Sequence, residues 1–235
     1  MEEVLERAVA DAQALESGGV HGLIVENFGD VPFCKGRVEA HTVAAMTLAV
    51  AAVRESVGLP VGVNVLRNDA MSALAIVSVT GASFIRVNVH TGAMVTDQGL
   101  IEGCAYETMG YRRELGVDVK VFADVLVKHA VPLGSPRIEQ AARDTAYRGL
   151  ADALIVTGSG TGESTEMEDV ERAREAVPDF PVLVGSGVFQ GNAGELLSVA
   201  DGVIVGTSLK EDGIVTNPVD RARVATLMAV VRKLR

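Results

Sequence analysis

The chain has 235 residues, 48% hydrophobic and 22% charged, which suits a globular protein with a sizeable core and excludes a disordered one; a single barrel-sized domain over residues 1–235 is expected. A net charge of -10 argues against a general nucleic-acid binder, because a polyanion would meet a repulsive field. Cys34 and Cys104 form no Cys-x-x-Cys or Cys/His cluster, Met1-Glu2-Glu3 opens an acidic helix instead of a secretory leader, and the longest apolar runs are strand-sized, so a reducing, cytoplasmic setting without a transmembrane segment is expected.

In chain order, residues 2–17 read as a helix with Val4, Leu5, Ala8, Ala12 and Leu15 on one stripe, ended by Gly18-Gly19. A strand over 21–25 finishes in Glu26, Asn27 and Asp30. After a loop at 31–36, an Ala/Val-rich helix over 41–57 is closed by Gly58-Leu59-Pro60. The next strand, 61–66, is tipped by Arg67, Asn68 and Asp69 and is followed by a helix over 70–80. Residues 84–90 form a strand whose period of two places Arg86, Asn88 and His90 on one face and Ile85, Val87 and Val89 on the other. A Gly/Thr-rich loop is expected at 91–100 and a helix at 101–115. A strand over 119–125 then runs into Lys128 and His129, and a helix covers 138–150.

The strand at 153–156 ends in Thr157-Gly158-Ser159-Gly160-Thr161-Gly162, and a helix follows at 166–177. The last two strands, 181–184 and 202–205, run into Gly185-Ser186-Gly187-Val188 and Gly206-Thr207-Ser208-Leu209-Lys210, with a short helix at 194–199 between them and a closing helix at 218–235.

Strand and helix alternate at about 30 residues, the mark of consecutive βαβ crossovers and a parallel sheet. The pattern gives seven strands and eight helices: a (β/α)8-type TIM barrel lacking its first strand. The strand that would precede the first helix lies outside this sequence, or the start was set too late, or the barrel closes in an unusual way. A doubly wound open sheet is the alternative, disfavoured because no Gly-x-Gly-x-x-Gly follows the first strand and polar residues cap every strand.

Functional residues of parallel barrels sit at the C-terminal strand ends. Those ends make Glu26, Asp69, His90, Asp124 and Lys128 the acid–base candidates, and Asn27, Asn64, Asn68, Arg86, Asn88, His129 and Thr157 the substrate-binding candidates, around a polar cavity walled by the Arg86, Asn88 and His90 ladder. Asp69, just before a helix, also suits a capping role. The turns Gly185, Ser186, Gly187 and Gly206, Thr207, Ser208 can aim backbone N–H groups at a phosphate, with Lys210 adding charge. His90 with Asp124 and Glu26 is a candidate divalent-metal set without a spacing motif, and no cofactor is otherwise indicated. Two unpaired sheet edges would invite a partner chain, hence a homo-oligomer.

The segments at 22–33 (GLIVENFGDVPF), 62–70 (GVNVLRNDA), 84–92 (FIRVNVHTG), 96–99 (TDQG), 123–130 (ADVLVKHA) and 149–158 (GLADALIVTG) resemble the BtpA/SgcQ family over essentially the whole chain. The resemblance implies a ribulose-phosphate-binding type of TIM barrel whose phosphate site corresponds to the turns at 185–187 and 206–208. The family usually carries an N-terminal strand with a His-Leu/Pro-rich end, which this sequence does not contain. The family is named for a cyanobacterial factor affecting photosystem I accumulation, while other members look like sugar- or nucleoside-metabolism enzymes. Two readings follow: an enzyme acting on a small phosphorylated sugar or nucleoside, or a non-catalytic assembly factor of a membrane complex. The Arg, Asn and His ladder favours the enzyme, because a pure scaffold has no need to keep it in its interior.

Overall fold

The computed structural model describes residues 1–158 and 165–234. Ser159, Gly160, Thr161 and Gly162 of the turn singled out above lie outside the described residues.

The first helix, α1 (Glu2–Gly18), ends at Gly19, whose left-handed φ of 94° stops it as the Gly-Gly pair predicts. Then come β1 (Leu23–Glu26), α2 (Ala40–Ser56), β2 (Val61–Asn64), α3 (Ala70–Thr80) and β3 (Phe84–Val87). Two short strands, β4 (Ala93–Thr96) and β5 (Gly99–Glu102), precede α4 (Ala105–Leu115), β6 (Lys120–Val125) and β7 (Ala130–Pro132). The chain continues through α5 (Ile138–Arg143), β8 (Ala153–Val156), α6 (Met167–Ala176), β9 (Val182–Val184), α7 (Ala193–Leu196), β10 (Gly202–Val203) and α8 (Arg221–Val231).

Among the described residues, seven strands pair in parallel in the order β1-β2-β3-β6-β8-β9-β10 and curl into an incomplete barrel, with eight helices packed around it. The sheet is open between β1 and β10. Outside that opening α1 packs against both α2 and α8, so the helical layer bridges a gap that the strands leave.

Alternation along each strand separates the two faces. Outward residues such as Val63, Ile85 and Val121 pack with α2 and α3 residues including Val50, Leu74 and Ile76, and Leu154, Val156 and Val184 pack with α6 and α8 residues. The apolar core therefore lies between sheet and helices, and inward positions are left for other uses.

The structure corrects several boundaries. The strand expected at 84–90 stops at Val87, and the one at 61–66 stops at Asn64. The expected loop at 91–100 is a β4–β5 hairpin, and residues 101 and 102, expected to start a helix, belong to β5. With β7 these form a three-stranded antiparallel sheet in the order β5-β4-β7, seated on a small cluster of Val89, Met94, Ile101 and Val127. The helix expected at 138–150 is α only to Arg143 and continues as a π turn over Asp144–Arg148.

Candidate active site

Inside the barrel the side chains form two layers. The lower one is apolar, with Phe84 and Phe122 stacked at 4.5 Å between ring centroids; Gly62 leaves room for this pair, since a Cβ there would lie 2.2 Å from the Phe84 ring. The upper layer is ionic. Register pairs Arg86 with Phe122, so Asp124, two residues further along the same face, comes within reach of the guanidinium.

Arg86 donates from Nε to Asp124 Oδ1 and from Nη2 to Asp124 Oδ2, each at 3.0 Å, and from Nη1 to Glu26 Oε1 at 3.5 Å. Asn88 Nδ2 donates to Asp124 Oδ2 at 2.8 Å, and Asn64 Nδ2 donates to Asn88 Oδ1 at 3.0 Å and to the Arg86 carbonyl at 3.1 Å. Burial works against the charge on Arg86, but Asp124 and Glu26 outweigh it and hold its pKa above the ordinary value. The bidentate fork fixes geometry more than it adds net stability, because desolvation of both ions offsets their attraction.

Many of the polar strand tips serve a different end. Asn27 Oδ1 accepts from Leu66 N at 2.7 Å, and Asn68 takes both polar groups of Val89, accepting from its N–H at 2.8 Å and donating to its carbonyl at 2.9 Å. Thr157 Oγ1 accepts from Lys128 N at 2.9 Å, Ser186 Oγ accepts from Gly158 N at 2.6 Å, and Ser208 Oγ donates to the Val188 carbonyl at 2.7 Å. Each bond joins one tip to its neighbour where the ladder has ended, so it satisfies backbone groups that would otherwise be stranded near the interior.

Above the ionic layer lies a cavity of about 320 Å³, lined among others by Glu26, Asn64, Arg67, Arg86, Asn88 and Lys128. Phe28 and Phe33, 6.2 Å apart, form an apolar side, and Asp97 enters from the β4–β5 turn. Sequence reasoning missed Arg67, Asp97 and the two phenylalanines as site residues. Arg67 stood in plain view at the tip of its strand; Asp97 arrives through a hairpin read as loop, and nothing local marks it.

Asn64 and Arg67 also line this cavity, while Asn64 Oδ1 and Arg67 Nε are themselves buried and have no hydrogen-bond partner among the described residues. Arg67 reaches across to donate from Nη2 to the Lys128 carbonyl at 2.6 Å, and burial pulls its pKa down. Lys128 is half-buried; burial, and then the nearby Arg86 charge, lower its pKa, with Glu26 and Asp124 opposing the shift and Arg67 adding to it.

Of the five sequence-predicted acid–base groups, Glu26 and Lys128 reach this cavity. Asp124 stands behind Arg86 and faces a second cavity of about 160 Å³ shared with Asn88, Thr91 and Thr145. Asp69 caps α3, accepting from Ser72 N at 3.0 Å and from Val38 N at 2.9 Å, as its position before a helix suggests. His90 departs from the ladder face: beyond the end of β3 its ring is fully buried, with Nε2 2.8 Å from the Gly149 carbonyl, and it does not line the 320 Å³ cavity. The strand ends before His90, so the period of two no longer governs it. The candidate metal set of His90, Asp124 and Glu26 therefore does not converge, and no group of three or more His, Cys, Asp or Glu side chains among the described residues does.

The binding candidates His129, Asn64, Arg86 and Asn88 line the cavity, whereas Asn27, Asn68 and Thr157 act in the stitching around its rim. The turns at Gly185, Ser186, Gly187 and Gly206, Thr207, Ser208 do not line the cavity; the first of them borders it, since a Cβ on Gly185 would sit 3.5 Å from Arg86 Nη2. Lys210 does not add its charge to these turns as expected: its Nζ pairs with Asp11 Oδ2 at 2.5 Å. No helix among the described residues is long and apolar enough to cross a membrane.

A family model described as the BtpA family matches residues 1–233. The chain is 54% identical over 225 residues to the photosystem I biogenesis protein BtpA of Synechocystis sp., covering 96% of this chain and 78% of that protein. It is 35% identical over 236 residues to the sgc region protein SgcQ of Escherichia coli, covering 100% of this chain and 87% of that protein. Among solved structures, phosphoribosyl anthranilate isomerase from Thermus thermophilus superposes with a TM-score of 0.63 at 16% identity, covering 97% of this chain and 95% of that one. That likeness shows the fold, a TIM-type parallel barrel.

Proposed function

The chain belongs to the BtpA family, and from that premise we propose that it is an enzyme acting on a small phosphorylated sugar or nucleoside. The observation that carries this reading is the convergence of Glu26, Asn64, Arg67, Arg86, Asn88 and Lys128 on one cavity of about 320 Å³. A concave wall with a few convergent polar groups of both signs suits a small ligand that offers the complements. Hydroxyl groups of a sugar are both donor and acceptor, and Arg67, Arg86 and Lys128 supply positive charge for an anionic one.

In this reading Asn64, Asn88, Arg86 and His129 orient the substrate. Glu26, whose side chain is 25% exposed, moves protons between substrate and solvent, Lys128 works on a developing negative charge, and Asp124 fixes Arg86. The phosphate rests on the backbone of Gly185–Gly187 and Gly206–Ser208, the first of these turns being next to Arg86. The structural neighbour is named for a phosphorylated compound of this class, a phosphoribosyl anthranilate.

Thermal-shift measurements with phosphosugars and nucleotides test the proposal. A ligand at about 100 times its dissociation constant adds roughly 2.7 kcal/mol of stability, and an upward shift of the melting midpoint with at least one of them is expected. The 54% identity to a photosystem I biogenesis protein favours a second reading, a barrel used as an assembly scaffold. No shift with any phosphorylated ligand would select it.

A further inference from the structure

Among the charged groups of the cavity, Lys128 stands apart. Arg86 is committed to Asp124 and Glu26, and Arg67 to the Lys128 carbonyl, yet among the described residues the Lys128 ammonium enters no hydrogen bond or salt bridge. Its backbone is the opposite case. The N–H donates to Thr157 Oγ1 at 2.9 Å and the carbonyl accepts from Arg67 Nη2 at 2.6 Å, so both main-chain polar groups are pinned while the side chain is left unengaged at the cavity wall.

The flanking backbone is also unusual. Leu126 and His129 have φ of 53° and 55°, left-handed values that side chains rarely adopt, and they bracket the two residues Val127 and Lys128. Such conformations are strained and persist where the surrounding structure imposes them, often at ligand sites. Here their effect is to turn the chain after β6 so that Val127 is buried in the small cluster under the antiparallel sheet while Lys128 borders the cavity.

We propose that Lys128 is a carbonyl-capturing amine: its Nζ forms an imine with the aldehyde or ketone carbon of the substrate. This rests on the reading of the cavity as the site of a small phosphorylated sugar, and it names the reactive group of that substrate. In the step, the nitrogen lone pair attacks the carbonyl carbon, the C–N bond forms as the C=O π bond opens, and the oxygen takes up protons and departs as water. Amine, carbonyl compound and one proton give iminium and water, with no oxidant or reductant. Glu26 and Asp97 are the cavity carboxylates that can carry these protons, because Asp124 has both oxygens engaged by Arg86 and Asn88.

The surroundings of the amine agree with this use. Burial first, then Arg86 and Arg67, disfavour a third positive charge here, against the opposing pull of Glu26 and Asp124, so Lys128 holds its proton less firmly than an exposed lysine.

The test is reductive trapping on the full chain. The protein is incubated separately with ribose 5-phosphate, dihydroxyacetone phosphate and pyruvate, with and without sodium borohydride, which delivers hydride to the iminium carbon. Peptide mass mapping then locates any adduct, whose mass gain equals the carbonyl compound less one oxygen atom. The expected result is labelling of Lys128 in preference to Lys35, Lys120, Lys210 and Lys233, dependent on borohydride and lost in Lys128→Arg, which keeps the charge but cannot form the imine. Should Lys128→Arg fail to fold, site mapping of the unsubstituted protein decides alone.

Labelling spread evenly over the lysines, or none with any of the three compounds, overturns the proposal. A thermal shift with ribose 5-phosphate but no Lys128 adduct overturns the imine and leaves the phosphosugar reading standing. A Lys128 adduct with pyruvate, and no response to either phosphorylated compound, keeps the imine and overturns that reading.

Discussion

At His90 the ring is fully buried, and one nitrogen, Nδ1, has no partner while Nε2 faces the Gly149 carbonyl. With Nε2 assigned as the donor to that carbonyl, protonating Nδ1 would place an uncompensated charge in the interior, and burial accordingly lowers the pKa below the ordinary imidazole value. The sign follows. The folded state binds the proton less readily than the unfolded state, so the contribution of neutral His90 is whole above about pH 6.5 and is lost as pH falls below it toward the folded pKa. The urea midpoint is therefore expected to decline on going below about pH 6.5, and the decline is expected to be shallower in His90→Gln, which does not titrate. Parallel pH profiles for the two proteins would assign the effect to other groups.

Between elements, the junction of β5 and α4 shows how closely the inserted hairpin is fitted to the barrel. Gly103 donates to the Gly92 carbonyl at 2.7 Å, and a Cβ on it would lie 2.7 Å from Thr91 Cα and 2.8 Å from the His90 carbonyl oxygen, both backbone atoms with little freedom to give way. Gly110, in the middle of α4, has open space around its Cβ position. The two glycines should therefore respond to alanine with opposite signs. Gly103→Ala is expected to cost about 1–3 kcal/mol through overpacking, and Gly110→Ala to gain about 0.5–1 kcal/mol from helix propensity, both read from urea denaturation. A loss at both positions would mean that α4 has a neighbour at Gly110 which the fold does not reveal.

Over the whole molecule, closure falls to the helices, because β1 and β10 do not pair. The first helix meets the last, and Asp11 of α1 accepts from Val219 N at 2.8 Å while pairing with Lys210, tying the start of the chain to its final loop and helix. Asp11→Ala leaves the Val219 N–H without its acceptor in a buried residue, and a loss of about 1–3 kcal/mol in urea denaturation is expected, with Asp11→Asn losing less because its amide oxygen can still accept. Equal losses in the two variants would show that the charge on Lys210, and not the backbone donor, is what Asp11 serves.

How much of this was legible in the residues depends on how local the cause is. Seven strands alternating with eight helices, the glycine stop after the first helix, the Asp69 cap and the inward placement of Arg86 and Asn88 all follow from periods and caps spanning a few residues, and the sequence alone determined them. It could not separate Asn64 from Asn68. Both are amides at the tip of one strand, but Asn64 lines the cavity while Asn68 is consumed by the backbone of Val89. Only the curl of the sheet brings a neighbouring backbone within reach of one side chain and a cavity within reach of the other. The same long-range packing turned His90 toward Gly149, brought Asp97 to the cavity and left Lys128 unengaged in a cavity that Arg67 and Arg86 also line, because which partner a polar group finds is set by distances between strands far apart in sequence.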